Sequence, residues 1–333
     1  MLYLISIGAI AFDLLIGDPK YLLHPVQIIG FYIKKTTYIF ISVFKKNFLI
    51  LGGAFIAISS IFLSYVVGKY IELIYLNKED NFWLGAIIFI GISSCLATNS
   101  LISSVSRISK LIEKSEKNKK NKQLIIDEVQ KIVSRDVSLS SDDDLIRSTT
   151  ESLTENSVDG IFGPIFWIFL GIILIQYSDV LPGPLSLGFS YKAISTLDSM
   201  IGYKHSYYKY LGLVSAKIED YATFIPSRLV LITLPLVSKE ISNYLSLIKQ
   251  AYHEGIKYDS PNSGISESIF AFVVNVKLGG VNKYFNNLEK KPILNFEGDK
   301  CSVKSIKIIC NLILKLELLW ILIFTFIFLL IRT

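Results

Sequence analysis

Leu312-Ile-Leu-Lys-Leu-Glu-Leu-Leu-Trp-Ile-Leu-Ile-Phe-Thr-Phe-Ile-Phe-Leu-Leu-Ile331, closed by Arg332, is the stretch that decides the class of fold. It reaches the roughly 20 residues an α-helix needs to cross a bilayer core, and it ends on a cation suited to the interface. Phe48 to Tyr65, Phe82 to Ile102 and Ile161 to Tyr177 approach the same length and composition. Leu2 to Ile16 is shorter and interrupted by Asp13, and Tyr221 to Val237 is interrupted by Pro226, Arg228 and Pro235. These two cross only if protein or water covers their polar groups. The chain of 333 residues is 51% hydrophobic, with 21 Phe and a mean hydropathy of +0.49. That is too apolar for an ordinary soluble domain. The expectation is an all-α, polytopic integral membrane protein with about four to six membrane helices and large polar helical loops, organised as a single membrane-embedded domain over 1–333.

No repeat at a fixed period and no low-complexity linker beyond Lys114 to Lys122 divides the chain. Polar excursions cover 17–47, 105–160 and 239–310, with a fourth at 182–220. Net charge is +6, and the lysines gather beside spans: Lys34, Lys35, Lys45 and Lys46, then Arg107 and Lys110 to Lys122. The positive-inside rule places both of those loops in the cytoplasm and the short Lys69 to Asp80 loop outside. Juxtamembrane placement explains these cations better than nucleic acid does, and no RNA- or DNA-binding module is visible. The first residues carry no basic n-region and no small-residue cleavage site, which reads as a retained first helix. Cys95, Cys301 and Cys310 show neither disulfide nor zinc spacing.

The chemistry concentrates in Asp142-Asp-Asp144-Leu-Ile-Arg147-Ser-Thr-Thr-Glu151-Ser-Leu-Thr-Glu155-Asn156-Ser-Val-Asp159-Gly160, followed by Ile161-Phe-Gly-Pro164. In a helix, Arg147, Glu151, Glu155 and Asp159 share one face, beside a row of Ser148, Ser152 and Asn156. Like charges stacked at this spacing cost about 0.2–0.5 kcal/mol per pair, so three carboxylates at a membrane entrance imply a cation: a metal ion or a cationic substrate. A solvated helix face before a span is the plainer alternative, but such faces mix in lysines and this row has none after Arg147.

Four other segments carry polar groups that an apolar chain does not need for folding alone. Asp13-Leu-Leu-Ile-Gly17-Asp18-Pro19 leads to His24-Pro-Val. Asp13 inside an apolar helix needs a partner, Asp18 is either a site residue or a helix stop, and His24 is suited to phosphate binding or proton transfer. Ser134-Arg135-Asp136 adds a guanidinium suited to phosphate. Lys192 to Asp198, continuing to Asp220 and Arg228, sets Asp220 and Arg228 on one helical face two turns apart, as an ion pair or a substrate site. Asp259-Ser-Pro-Asn262-Ser-Gly-Ile-Ser-Glu267, then Leu278-Gly-Gly, reads as turn chemistry in which a Gly-Gly turn can bring backbone N–H groups to an anion. No G-x-x-x-x-G-K-[ST] occurs, so a standard P-loop is excluded.

Taken in order, these segments resemble the adenosylcobinamide-phosphate synthase family of cobalamin biosynthesis, the CobD/CbiB family. The resemblance rests on Asp13 to Pro19, His24 to Val26, Ser134 to Asp136, Glu151 to Pro164, Tyr191 to Tyr203, Glu219 to Leu229, Ser260 to Gly264 and Leu278 to Gly280. The chain departs from the family pattern at Ser195 (usually Asn), Glu219 (Asp), Thr223 (Asn) and Ser263 (Ala). Each replacement is polar or small, but Thr223 offers one hydroxyl where an amide offers separate donor and acceptor groups.

What the resemblance implies is a multi-pass synthase of the cell membrane with its active site on the cytoplasmic side. It would use ATP to join the free carboxylate of adenosylcobyric acid, a corrinoid, to the amine of 1-aminopropan-2-ol phosphate or a close amino-alcohol phosphate. Glu151, Glu155 and Asp159 would hold Mg²⁺ or the substrate ammonium. Arg135, Lys192 and Arg228 would meet phosphates, with Asn156, Asn262 and His24 as further substrate contacts. Glu155 is also a candidate catalytic group, Asp198 or Asp220 would be the base, and Asp13, Asp18 and Glu267 are further candidates. Expected partners are the lipid bilayer, the two substrates, and a second copy or neighbouring cobalamin-pathway enzymes, with no nucleic acid. The rival reading is a secondary transporter or channel with an intramembrane polar path through Asp13, Arg228 and a span broken at Pro226.

Overall fold

The computed structural model describes residues 1–17, 25–43, 48–78, 81–115, 122–202, 207–284 and 287–332. Among them the order is α1 (Leu2–Leu15), α2 (Pro25–Val43), α3 (Leu49–Asn77), α4 (Phe82–Ser93), α5 (Thr98–Ser115), α6 (Lys122–Gln130) and α7 (Asp142–Ser157). A π-helical turn, Val158–Phe162, leads into α8 (Gly163–Leu174), α9 (Pro184–Ile201), α10 (Tyr208–Leu211), α11 (Leu213–Thr233), α12 (Tyr244–Gly255) and α13 (Pro261–Val274). A hairpin of β1 (Leu278–Tyr284) and β2 (Asn287–Leu294) precedes α14 (Val303–Arg332). Among the described residues five helical stretches are long and apolar enough to cross a membrane: Leu49–Asn77, Phe82–Ser115, Asp142–Leu174, Leu213–Val237 and Val303–Arg332. The protein is therefore an all-α polytopic membrane protein, to which the sequence reading did not assign the antiparallel hairpin. Outward side chains of α3 and α14 such as Phe55, Phe62, Leu322 and Phe326 are exposed, as lipid-facing groups are.

The chain forms two compact units. The first comprises Met1–Asn99, Asp159–Phe224 and Phe328–Thr333, and the second Ser100–Val158 and Ile225–Ile327.

In the first unit α9 packs on α3 and α8. Gly68 allows the α3–α9 approach, since a Cβ there would lie 2.6 Å from the Ser186 Cα. The expected exterior loop at Lys69 to Asp80 is absent over its first part, because α3 continues to Asn77 and buries both Lys69 and Glu72. The reason is local. Glu72 accepts hydrogen bonds from the N–H groups of Gly183 (3.2 Å), Leu185 (2.6 Å) and Ser186 (3.1 Å), where α9 leaves its first amides unpaired. Lys69 donates to the carbonyls of Asp179 (2.6 Å) and Leu181, securing the preceding turn. α8 continues the helix of α7 through the π turn at Val158–Phe162, and α9 packs against it.

Pro226 does not break α11, contrary to the sequence expectation. Proline removes the N–H that would bond to the carbonyl four residues earlier. That carbonyl, on Ala222, instead accepts the Trp167 indole N–H at 3.0 Å, so the helix continues and tightens only into a 3₁₀ turn at Leu234–Val237, around Pro235.

In the second unit α12 and α13 pack as a pair, with the hairpin and α7 against α13. α7 begins at Ser141, whose Oγ accepts from the Asp144 N–H at 3.2 Å, and three aspartates in its first turn complement the helix dipole. α13 begins on Pro261 and ends at Asn275 with φ 56, a left-handed stop. Gly279 (φ +83) lies in β1, at a bulge rather than in the expected tight turn, and a Cβ there would meet the Pro292 carbonyl.

Candidate active site

The second unit holds a buried charge cluster around Glu151. One carboxylate oxygen, Oε2, pairs with Arg135, itself buried. The other, Oε1, accepts from Arg147 at 3.0 Å and from the Gly279 N–H at 2.8 Å. Arg147 spreads its remaining donors over the Gly279 carbonyl (2.7 Å), the Asn282 Oδ1 (3.0 Å), the Val281 carbonyl (3.1 Å) and Asp144 (3.2 Å). α7 and β1 are therefore latched by one carboxylate and one guanidinium. The expected approach of a Gly-Gly backbone N–H to an anion is realised, and the anion is the protein's own Glu151.

The three carboxylates of the expected row are placed differently from one another. Glu151 has both oxygens committed to cations and an amide. The α-helical register that would align Asp159 ends at Ser157, because the chain enters a π turn. Among the described residues no group of three or more His, Cys, Asp or Glu side chains is placed to hold a metal ion by itself. The Glu155 side chain is partly exposed and makes no hydrogen bond among the described residues, while its charge acts on Glu267 and Tyr258. Asn156 donates to Ser152 Oγ at 2.8 Å, and Ser152 in turn donates to the Ile132 carbonyl.

Two further groups belong to the same unit. Arg228 donates to Ser227 Oγ at 2.9 Å and to Asn262 Oδ1, so two of the candidate substrate residues, Arg228 and Asn262, are brought together. Glu267 on α13 is fully buried and lies 3.5 Å from the Lys291 ammonium on β2. Burial raises its carboxyl to about 8, Lys291 opposes this, the charges of Glu155 and Glu151 add to it, and Arg135 opposes it. Tyr258, buried beside Glu267, Glu151 and Glu155, has its phenol pushed far above the ordinary range, by burial first.

The first unit gathers the remaining candidates. Tyr191 on α9 is buried, and the charges of Asp159, Glu219 and Asp198 act on its hydroxyl. Gly163 makes room for it, since a Cβ at that position would lie 2.1 Å from the Tyr191 oxygen. Lys192 is half-buried on the same helix. Asp220 pairs with Lys217 at 3.6 Å, and Thr223 donates to the Glu219 carbonyl at 2.8 Å. Asp13 is buried and accepts from the Thr98 N–H at 2.8 Å, anchoring the start of α5. Asp18 and His24 lie outside the described residues. Among the described residues Cys95, Cys301 and Cys310 form no disulfide.

Sequence reasoning missed Lys291, Tyr258 and Asn282, which acquire meaning only when the hairpin folds back on α7 and α13. It also missed the Lys69–Glu72 pair. There the signal was present, as two opposite charges three residues apart in an apolar helix.

A polytopic helical membrane protein with buried arginine–carboxylate groups and a charge-bearing hairpin is the class these features define. Within that class the chain belongs to the CobD/CbiB family, whose model, described as CobD/Cbib protein, matches residues 6–313. A Synechocystis sp. protein named cobalamin biosynthesis protein CobD is 36% identical over 293 residues, covering 86% of this chain and 80% of that protein. A Listeria monocytogenes serotype 4b protein of the same name is 29% identical, with 99% of each chain covered. Cobalamin biosynthesis protein CbiB of Salmonella arizonae is 30% identical over 84% of this chain and 83% of its own. No solved structure matches.

Proposed function

We propose that the protein acts in cobalamin biosynthesis as an adenosylcobinamide-phosphate synthase, an ATP-dependent ligase that joins the free carboxylate of adenosylcobyric acid to the amine of 1-aminopropan-2-ol phosphate or a close analogue. The observation that carries this reading is the family match across residues 6–313, which takes in both clusters of polar residues. A carboxylate is a poor acylating agent. ATP converts it to an acyl phosphate and leaves ADP; the amine then attacks the carbonyl carbon, the C–N bond forms, and the C–O bond to phosphate breaks. Mg²⁺ accompanies ATP and neutralises the charge of its phosphates.

In this reading Arg228, with Asn262 beside it, is a phosphate contact of the second unit, where Arg135 and Asn156 also lie, and Lys192 is a phosphate contact of the first. Glu155 faces the cationic substrate. Asp198 or Asp220 is the base that takes the proton from the attacking ammonium. The reaction side is cytoplasmic by the lysine distribution, in the cell membrane. Assay of the purified protein with ATP, the corrinoid acid and the amino-alcohol phosphate tests the reaction. If Asp198 is that base, Asp198→Asn flattens the pH–rate profile, and an unchanged profile rejects that assignment. Glu155→Gln with a full ligation rate removes Glu155 from the site.

A further inference from the structure

Lys291 enters the second unit from the surface. Its side chain is 27% exposed at one end, while its ammonium lies 3.5 Å from Glu267, which is 0% exposed, and 5.2 Å from the centre of the Tyr258 ring. A carboxylate beneath an ammonium with an aromatic face at its side is the chemistry that recognises a primary amine cation. Two polar atoms here remain unfilled: among the described residues neither Glu267 Oε2 nor the Tyr258 hydroxyl has a hydrogen-bond partner, and both are buried. A native interior rarely leaves a carboxylate oxygen and a phenol orphaned, because each costs about 1–3 kcal/mol or more. The charges around the position favour a cation further, with Glu155 and Glu151 of α7 acting on both Glu267 and Tyr258, opposed by Arg135 at both and by Lys291 at Glu267.

We propose that Glu267 and Tyr258 form a primary-ammonium pocket, occupied at rest by the protein's own Lys291, which the incoming amine substrate displaces. The inference rests on the ligase reading and extends it by naming where the amine is held. Lys291 is a four-carbon stem ending in –NH₃⁺, so it occupies the route and the seat that a short amino-alcohol phosphate would take. It sits on β2, whose partner strand is held to α7 through Arg147 and Glu151, so α7 and the hairpin bring the pocket and its plug together. Occupation by Lys291 leaves acceptors unfilled because an ammonium on a tether cannot turn its three donors to all of them. Resting occupation also lowers the apparent affinity for the substrate amine, by the fraction of molecules whose pocket is open.

The test is steady-state kinetics on full-length protein in detergent, with hydroxylamine as a second nucleophile. Hydroxylamine is unprotonated at neutral pH and needs no ammonium pocket, so its trapping of the activated carboxylate reports on activation alone. Glu267→Gln should raise the KM for the amino-alcohol phosphate at least tenfold and leave hydroxamate formation unchanged. Lys291→Met should lower that KM several-fold, which loss of a merely structural ion pair would not do. Tyr258→Phe, which keeps the ring, should stay closer to wild type than Tyr258→Leu. An amine KM unchanged in Glu267→Gln, or unchanged or raised in Lys291→Met, overturns the pocket, as does parallel loss of hydroxamate and amide in Glu267→Gln. Absence of hydroxamate from the wild-type protein with ATP and the corrinoid acid overturns the ligase reading itself, so the two failures are distinguishable.

Discussion

Glu151→Ala is the most informative single perturbation of the second unit. The side chain is 3% exposed and receives Arg135, Arg147 and the Gly279 N–H. Arg147 keeps its contacts to Asp144, Asn282 and the strand carbonyls, but the buried Arg135 loses this counter-charge and the Gly279 amide its acceptor. Breaking one side of a buried pair costs about 3–5 kcal/mol, and the orphaned amide about 1–3 kcal/mol more. These terms share one carboxylate and are not additive, so a net loss of about 4 kcal/mol is expected. Unfolding in mixed detergent–SDS micelles reads this as a large shift of the midpoint. Glu151→Gln should cost less, because the amide oxygen can still accept from Gly279. The cycle with Arg135→Met isolates the pair, and its coupling should reach about 2 kcal/mol or more. Hydrogen exchange at the Gly279 amide should accelerate in Glu151→Ala ahead of the rest of β1. Stability within about 1 kcal/mol of wild type, with an additive cycle, would refute the view that Glu151 latches the hairpin.

Other consequences follow from single contacts. Trp167→Phe keeps most of the ring but orphans the Ala222 carbonyl that Pro226 leaves open, costing about 1–3 kcal/mol of unfolding free energy; a companion Pro226→Ala, which restores the helix N–H, should recover most of it. Gly163→Ala drives a methyl into the Tyr191 hydroxyl and should destabilise by about 1–3 kcal/mol, relieved by Tyr191→Phe. The Glu267 carboxyl rises from 4.5 unfolded to about 8 folded, so the folded state binds the extra proton between those values. Its contribution is fully present below pH about 4.5, declines as pH rises towards about 8, and is level above that. Glu267→Gln should flatten this part of the stability–pH curve.

Several parts of this architecture could be read directly from the sequence because they depend on local patterns. Apolar length found the crossing helices, since a bilayer demands it, and the 3.6-residue spacing placed Arg147 and Glu151 together on α7, where they do pair. The Asp159 end of that row was misread because hydrophobic periodicity does not announce a π turn. Pro226 looked like a break because the compensating indole comes from Trp167, distant in sequence. The Lys69–Asp80 segment looked like a loop because its charges are satisfied by the start of α9, more than a hundred residues away. The hairpin was invisible as such: its Gly-Gly signals a turn in isolation, and only the docking on Glu151 shows it to be a bulged strand.

The measurement that bears most directly on the proposed function is product formation by the purified, detergent-solubilised protein supplied with ATP, Mg²⁺, adenosylcobyric acid and 1-aminopropan-2-ol phosphate. The account predicts adenosylcobinamide phosphate and ADP in equal amounts, with neither formed when the corrinoid acid is omitted. Folded protein that consumes no ATP and forms no amide under these conditions would contradict it.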